Sequence, residues 1–243
     1  MRDSATLDRR KLLLGASAFT LTAVPAPTLA QGQAENHVVL LGDSIFDNAA
    51  YVGAGPDVIR QVRDLLPAGW RATLNAKDGA VVGDIAAQLH KLPADATHLV
   101  VSVGGNDALR EAPVLDAKAR SVADALELIT VARMRFRSAY ARMLDHVLGR
   151  RLPMCVCTIY EPRYPEAVRR RLSATALTVI NDSITREAFA RDIDLIDLRV
   201  VCDEDRDFAN PIERSVAGGA KIARSIISFA LRQTARQSRV ITR

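Results

Sequence analysis

The sequence has few of the residues that build metal centres and disulfide frameworks, and it lacks nucleotide-binding loops. Its 243 residues include three cysteines, four histidines and one tryptophan. The histidines and cysteines lack the close spacing of metal ligands, and no Gly-rich phosphate loop of the dinucleotide or Walker type is present. The sequence therefore predicts neither a metal ion nor an organic cofactor.

The charge balance also argues against a nucleic-acid partner. Lys and Arg (33) exceed Asp and Glu (28) for a net charge of +5, but no basic cluster with interleaved aromatic residues is found. No internal repeat or low-complexity tract is visible either. A chain of this length with 49% hydrophobic residues can bury one sizeable core, so we expect a single domain.

The N-terminus has the layout of an export signal. Arg9-Arg10-Lys11 precedes an apolar region, and the small-residue segment Thr28-Leu29-Ala30 suits signal cleavage. The paired arginines are similar to a twin-arginine leader, which favours a periplasmic or secreted protein. A retained membrane anchor is the alternative, although the apolar run is shorter than the roughly 20 residues of a bilayer span. The predicted divisions are an export signal in 1–30, a linker in 31–36 and a domain in 37–243.

Apolar runs alternate with helical patterns along the rest of the chain. This alternation predicts βαβ units and a parallel sheet covered on both faces, hence a three-layer α/β/α fold with five strands. The region 116–149 is mainly helical by its apolar spacing, as one helix or as two pieces around Val131. The strands are predicted at 37–41, 71–76, 97–103, 154–159 and 193–198.

The cysteines carry little functional information. Cys155 and Cys157 alternate in an apolar run, which favours burial on one face of a strand as small hydrophobic residues. Pairing of one of them with Cys202 stays open in an exported protein, because the sequence does not fix the distance.

Polar residues follow three of the predicted strands. The first strand stops at Gly42-Asp43-Ser44, which delivers the Ser44 hydroxyl to the carboxyl edge of the sheet, where α/β proteins place their sites. Ser44 is therefore a candidate nucleophile, and a helix N-cap is its alternative role. Gly79 follows the second strand, and Gly104-Gly105-Asn106-Asp107 follows the third as a predicted glycine loop.

These segments, with the Asp-rich loop before the last helix, resemble the SGNH (GDSL) hydrolase superfamily over nearly all of the mature chain. The resemblance implies a flavodoxin-like fold and ester cleavage by a serine nucleophile, Ser44. It also implies an oxyanion hole made by the backbone N–H groups of Ser44 and Gly79 and the side-chain amide of Asn106. Such fixed donors stabilise the negative charge of the transition state.

The last segment departs from the family pattern, in which Asp-x-x-His supplies the general base. The corresponding residues are Asp207-Phe208-Ala209-Asn210-Pro211, so Asn210 stands in the expected histidine position. An amide cannot accept and return a proton near neutral pH. The predicted topology also places every histidine of the chain away from Ser44: His37, His90, His98 and His146.

Two hypotheses follow from the missing histidine. In the first, a carboxylate replaces the histidine as the base; Asp207 is the first candidate, and the other candidates are Asp205, Glu213 and Glu161. The protein then hydrolyses an acyl or acetyl ester of a small molecule or a glycan. Alternatively, the protein is a non-catalytic binding module for an acylated or carbohydrate ligand. The sequence does not indicate an oligomeric state.

Overall fold

The computed structural model describes residues 36–231 of the chain. The predicted export signal in 1–30 lies outside the described residues, as does most of the predicted linker. Among residues 36–231, every helix is too short or too polar to cross a membrane.

Five strands and seven α-helices form the described part of the chain. The strands are β1 (Asn36–Gly42), β2 (Trp70–Leu74), β3 (His98–Ser102), β4 (Met154–Cys157) and β5 (Asp194–Ile196). The helices are α1 (Val58–Leu65), α2 (Ile85–His90), α3 (Gly105–Glu111), α4 (Val122–Leu148), α5 (Ala167–Phe189), α6 (Leu198–Val201) and α7 (Val216–Ala230).

The strands form one parallel sheet in the order β2-β1-β3-β4-β5. In β1, Leu40 lies opposite Leu74 on one side and Val100 on the other. The chain passes from β1 to β2 on one side and later returns to place β3 on the other, so the strand order reverses at β1. Ligands of such sheets bind at the carboxyl ends of the strands beside this reversal.

Residues of β1 alternate between two hydrophobic layers, as a strand requires. Val38 and Leu40 pack with α1 and α7, whereas Val39 and Leu41 pack with α2, α4 and α5. All four side chains are fully buried. The predicted three-layer α/β/α fold with a five-stranded parallel sheet is therefore confirmed.

One helical region differs from the sequence prediction, and another decides between its two alternatives. The glycine-rich segment after β3 was expected to be a loop, but α3 begins at Gly105. The region 116–149 contains one continuous helix, α4, which begins after Ser121 because its hydroxyl accepts a hydrogen bond from the Asp124 N–H (3.1 Å). The two-piece alternative around Val131 is thus wrong.

The three cysteines are buried and unpaired. Cys155, Cys157 and Cys202 belong to the hydrophobic layer formed with α1 and α7. Burial raises the pKa of each thiol, which keeps it protonated and inert.

Candidate active site

Ser44 is held by a tightly packed turn at the end of β1. Gly42 has φ +140°, and a Cβ atom there would lie 1.9 Å from the carbonyl oxygen of Ser102, so this approach of β1 to β3 requires glycine. The Gln88 side chain accepts from the Gly42 N–H (2.7 Å) and donates to the Gly42 carbonyl (2.8 Å). Ser44 follows at the carboxyl edge of the sheet and is 8% exposed.

The partner of Ser44 is Glu213, which lies in the loop before α7. The Ser44 hydroxyl donates to Oε1 of Glu213 at 3.3 Å, and Glu213 is 6% exposed. Its Oε2 atom has no hydrogen-bond partner among the described residues. The pKa of Glu213 is raised to about 7, chiefly by burial; the Ser44 hydrogen bond and the Arg214 charge oppose the rise, and nearby Asp78 adds to it.

Asn210 organises the loop that carries Glu213. Its exposed side chain accepts hydrogen bonds from the backbone N–H groups of Ile212 and Glu213, both at 3.0 Å. The family resemblance assigned residue 210 to the base position, but Glu213 is the residue of this loop that contacts Ser44. The side chain of Asn210 instead folds back onto its own loop and fixes the turn that brings Glu213 to the serine.

The other carboxylate candidates are engaged elsewhere. Asp207 is fully buried, and its Oδ2 accepts hydrogen bonds from Lys221 Nζ (2.8 Å) and the Glu204 N–H (3.1 Å). Asp205 forms an exposed ion pair with Arg170 (3.0 Å). Glu161 is exposed. Asp207, the first candidate from the sequence, therefore joins the loop to α7, and Glu213 is the candidate beside Ser44.

The three groups expected to form an oxyanion hole belong to neighbouring strand ends. The backbone N–H groups of Ser44 and Gly79 have no acceptor among residues 36–231, and Gly79 has φ +79°. Asn106 lies in the first turn of α3, and its Nδ2 donates to the Ala80 carbonyl (2.9 Å), which ties α3 to the Gly79 loop. One hydrogen of the Asn106 amide is thereby used and the other is left for a ligand.

Asp43, beside Ser44, is a second buried carboxyl group. It is 2% exposed, and its Oδ1 accepts from the Ile45 N–H (3.1 Å). Burial raises the pKa of Asp43 to about 7, and the charges of Glu213 and Asp107 act in the same direction. Within residues 36–231, no three His, Cys, Asp or Glu side chains group closely enough to hold a metal ion.

The histidines lie away from Ser44, as the predicted topology requires. His37, at the start of β1, binds Thr73 Oγ1 (2.7 Å) and Asp95 Oδ1 (3.2 Å), and His98 packs beside Trp70. His90 and His146 line a separate cavity between α2 and α4. No histidine is among the residues that line the cavity at Ser44.

That cavity is large and mostly apolar. Its volume is about 740 Å³, and it extends from Ser44 and Glu213 into the space between α3, α4 and α5. Its walls contain small and aliphatic side chains, including Ala108, Leu109, Ala132, Leu172, Ala176 and Ile180. The site therefore combines a buried hydroxyl–carboxylate pair with room for an apolar group.

Several solved structures share this fold. An extracellular lipase from Streptomyces rimosus is 17% identical, with 80% of this chain and 99% of that chain covered and a TM-score of 0.58. A phospholipase A1 from Streptomyces albidoflavus is 16% identical, with 80% and 99% covered and a TM-score of 0.58. An acetyl xylan esterase from Geobacillus stearothermophilus is 16% identical, with 83% and 97% covered and a TM-score of 0.54.

Sequence comparison gives the family. No curated protein matches the chain. The model of the GDSL-like Lipase/Acylhydrolase family matches residues 40–219, which include Ser44, Gly79, Asn106 and Glu213. Since this match covers most of the chain and the fold agrees with it, the chain belongs to the GDSL-like Lipase/Acylhydrolase family and is an ester hydrolase.

Proposed function

We propose that the protein hydrolyses carboxylic esters with Ser44 as the nucleophile and Glu213 as the general base. The observation that carries this proposal is the 3.3 Å hydrogen bond from the Ser44 hydroxyl to Glu213 Oε1 in a buried site. A serine hydroxyl is a weak nucleophile unless an adjacent base removes its proton. Glu213 accepts the hydrogen bond of this hydroxyl, which supports its role as the base.

The reaction follows from this geometry in two halves. Ser44 Oγ attacks the ester carbonyl carbon while its proton moves to Glu213 Oε1, and the carbonyl oxygen becomes negatively charged. When the intermediate collapses, the bond to the alcohol oxygen breaks and Glu213 returns the proton to that oxygen. Water then attacks the acyl-serine in the same way, with Glu213 taking its proton and returning it to Ser44, so that the acid is released.

The oxyanion groups and the ionisation of Glu213 determine the rate. The N–H groups of Ser44 and Gly79 and the Asn106 amide are the donors proposed to bind the oxyanion, and loss of one such donor typically costs about 3 kcal/mol. Glu213 accepts a proton only when ionised. Because its pKa is raised to about 7, activity should fall as the pH drops below 7.

The cavity supports esters of longer acyl chains over acetyl esters as substrates. An acetyl group would fill little of a space of about 740 Å³, whereas an extended acyl chain can contact its aliphatic walls. Each methylene group buried there contributes about 0.8 kcal/mol. The acyl chain is therefore proposed to lie between α4 and α5, with the alcohol directed toward solvent.

The test is a series of p-nitrophenyl esters with acetyl, butyryl, octanoyl and lauroyl groups. Wild-type turnover should rise with acyl length, and Ser44→Ala should abolish it. Ala176→Phe narrows the cavity and should lower turnover of the longer esters selectively, whereas Ala123→Phe, on the exposed side of α4, should have no such effect. Equal rates for wild type and Ser44→Ala would reject the nucleophile, and ester binding without turnover would favour the binding module.

The compartment remains a prediction from the N-terminal residues. The Arg9-Arg10 leader supports export of the enzyme, and one protein that shares its fold is an extracellular lipase. An exported enzyme would meet its ester outside the cytoplasm.

A further inference from the structure

Arg214, the residue after Glu213, is a buried cation that forms no ion pair within residues 36–231. It is fully buried, and its guanidinium carbon lies 3.2 Å from the ring centroid of Tyr160 and 3.4 Å from that of Phe208. The Tyr160 hydroxyl and the Cys202 thiol lie nearby, but none of the three side-chain nitrogens reaches a described acceptor with hydrogen-bond geometry. Buried charges are costly unless paired, so this arginine needs an explanation.

The aromatic rings fix the cation relative to Glu213. Guanidinium groups are attracted to the faces of aromatic rings, and the attraction is strongest away from water. Phe208 pairs with Arg214 in a short antiparallel bridge, and the Tyr160 hydroxyl donates to the Ile212 carbonyl. Both rings are thus attached to the loop that carries Glu213, and they hold the guanidinium against that loop.

The charges that face Glu213 come from several elements. The Ser44 hydroxyl donates a hydrogen bond to Glu213, and the negative charges of Asp43 and Asp78 oppose its ionisation. The negative charge of Glu213 in turn raises the pKa of the Tyr51 and Tyr160 hydroxyls. The Arg214 guanidinium favours the ionised form of Glu213. Arg214 is the cation in this set, and its charge acts against burial and Asp78 to lower the pKa of Glu213.

We propose that Arg214 is a positioning residue whose buried guanidinium, next to Glu213 in the chain, favours the ionised form of the Glu213 carboxylate beside Ser44. The role rests on the proposed function of Glu213 as the base. Arg214 does not line the cavity beside Ser44, so it acts through Glu213 and not on the substrate. It thereby explains how a carboxylate as buried as Glu213 can be ionised when the enzyme works.

The test is the pH dependence of kcat/KM for Arg214→Met and Arg214→Lys. Loss of the charge in Arg214→Met should move the midpoint of the acid limb up by about one pH unit, a tenfold loss of activity at pH 6. Activity at pH 9 should change less than about twofold. Arg214→Lys keeps a cation and should keep the wild-type midpoint, and a wild-type midpoint in folded Arg214→Met would overturn the proposal.

A citrulline at position 214 covers the case in which Arg214→Met does not fold. Citrulline keeps the planar shape of arginine without its charge, and it can be introduced by ligating a synthetic 202–243 segment at Cys202. The citrulline protein should show the same upward shift, and an unshifted midpoint would again overturn the proposal. A role in packing alone would lower the Tm of the Arg214 variants without moving the midpoint.

Failure of this inference is distinguishable from failure of the proposed function. If Ser44→Ala and Glu213→Gln are inactive but the neutral Arg214 proteins keep the wild-type midpoint, only the role of Arg214 is rejected. If Ser44→Ala or Glu213→Gln retains full activity, the proposed mechanism is rejected and the role of Arg214 with it.

Discussion

Two glutamates of this protein are almost equally buried but differ in their ionisation. Glu213 is 6% exposed and Glu187 is 7% exposed. Burial raises the pKa of Glu187, but hydrogen bonds from Arg137 (2.6 Å) and Arg191 outweigh it, so the pKa lies below its ordinary value. The pKa of Glu213 is raised to about 7 by burial, because its hydrogen bond comes from the neutral Ser44 hydroxyl, it forms no ion pair within residues 36–231, and the Arg214 charge offsets the rise only in part. Two arginine partners thus hold Glu187 ionised, whereas Glu213, which lacks them, keeps a raised pKa suited to proton transfer.

The largest expected difference between the two glutamates is in activity. Glu213→Gln should lower kcat by a factor of about 10²–10⁴, because the amide cannot take the Ser44 proton. Glu187→Gln is the matched control and should keep wild-type kcat in the folded protein. Steady-state hydrolysis of the octanoyl ester measures kcat for both variants. Equal losses of kcat would show that Glu213 has no catalytic role that Glu187 lacks.

The next difference is in stability at pH 8, where Glu187→Gln should lower the free energy of unfolding and Glu213→Gln should raise it. Glu187→Gln removes a carboxylate bound by two arginines and should lower the free energy of unfolding by about 1–3 kcal/mol at pH 8. The folded protein holds the Glu213 proton up to about pH 7, whereas the unfolded chain releases it near 4.5. Wild-type stability therefore falls as the pH rises through this window, by up to about 3 kcal/mol from Glu213.

Glu213→Gln should remove that part of the pH dependence. Asp43, whose pKa is also raised to about 7, contributes a slope of the same sign in both proteins, so the difference between them reports Glu213 together with its effect on Asp43. Urea unfolding of wild type and Glu213→Gln at pH 5 and pH 8 measures it. If the free energy of unfolding changed equally with pH in the two proteins, Glu213 would not be held protonated by the fold.

The smallest expected effect is at Asn210. Because its exposed side chain supports the turn of Glu213 through two hydrogen bonds but is not hydrogen-bonded to Ser44, Asn210→His should lower kcat by less than about tenfold. Esterase assays from pH 5 to 9 test this, with Glu213→His as the companion. A large gain in Asn210→His, with a new ionisation near 6.5, would place residue 210 rather than Glu213 at the base position.

The fold was predictable because its signals are local. The run Val38–Leu41 is apolar at every position and ends at a glycine, as expected for a strand covered on both faces. α3 was missed because Gly104-Gly105 is typical of a loop. The positive φ of Gly104 (+121°) is compatible with the turn that starts the helix at Gly105.

The site was only partly predictable because one of its contacts is long-range. The strand ends indicated Ser44, Gly79 and Asn106 as candidates. The proposed base could not be chosen from the polar loop because Asn210 and Glu213 are separated by a turn that reverses the chain. Only the hydrogen bonds of that turn show which side chain faces Ser44. Arg214 was missed entirely, since a single arginine in a loop gives no signal of burial between two rings.

A carboxylate beside the serine also affects how the reaction ends. Hydrolysis releases a carboxylic acid, which becomes an anion next to Glu213 and the buried Asp43, whose charges repel it once they are ionised. Above pH 7 the acid product should leave readily and inhibit poorly. Below pH 7, where Glu213 is protonated and can donate a hydrogen bond to it, the same acid should remain bound and slow turnover.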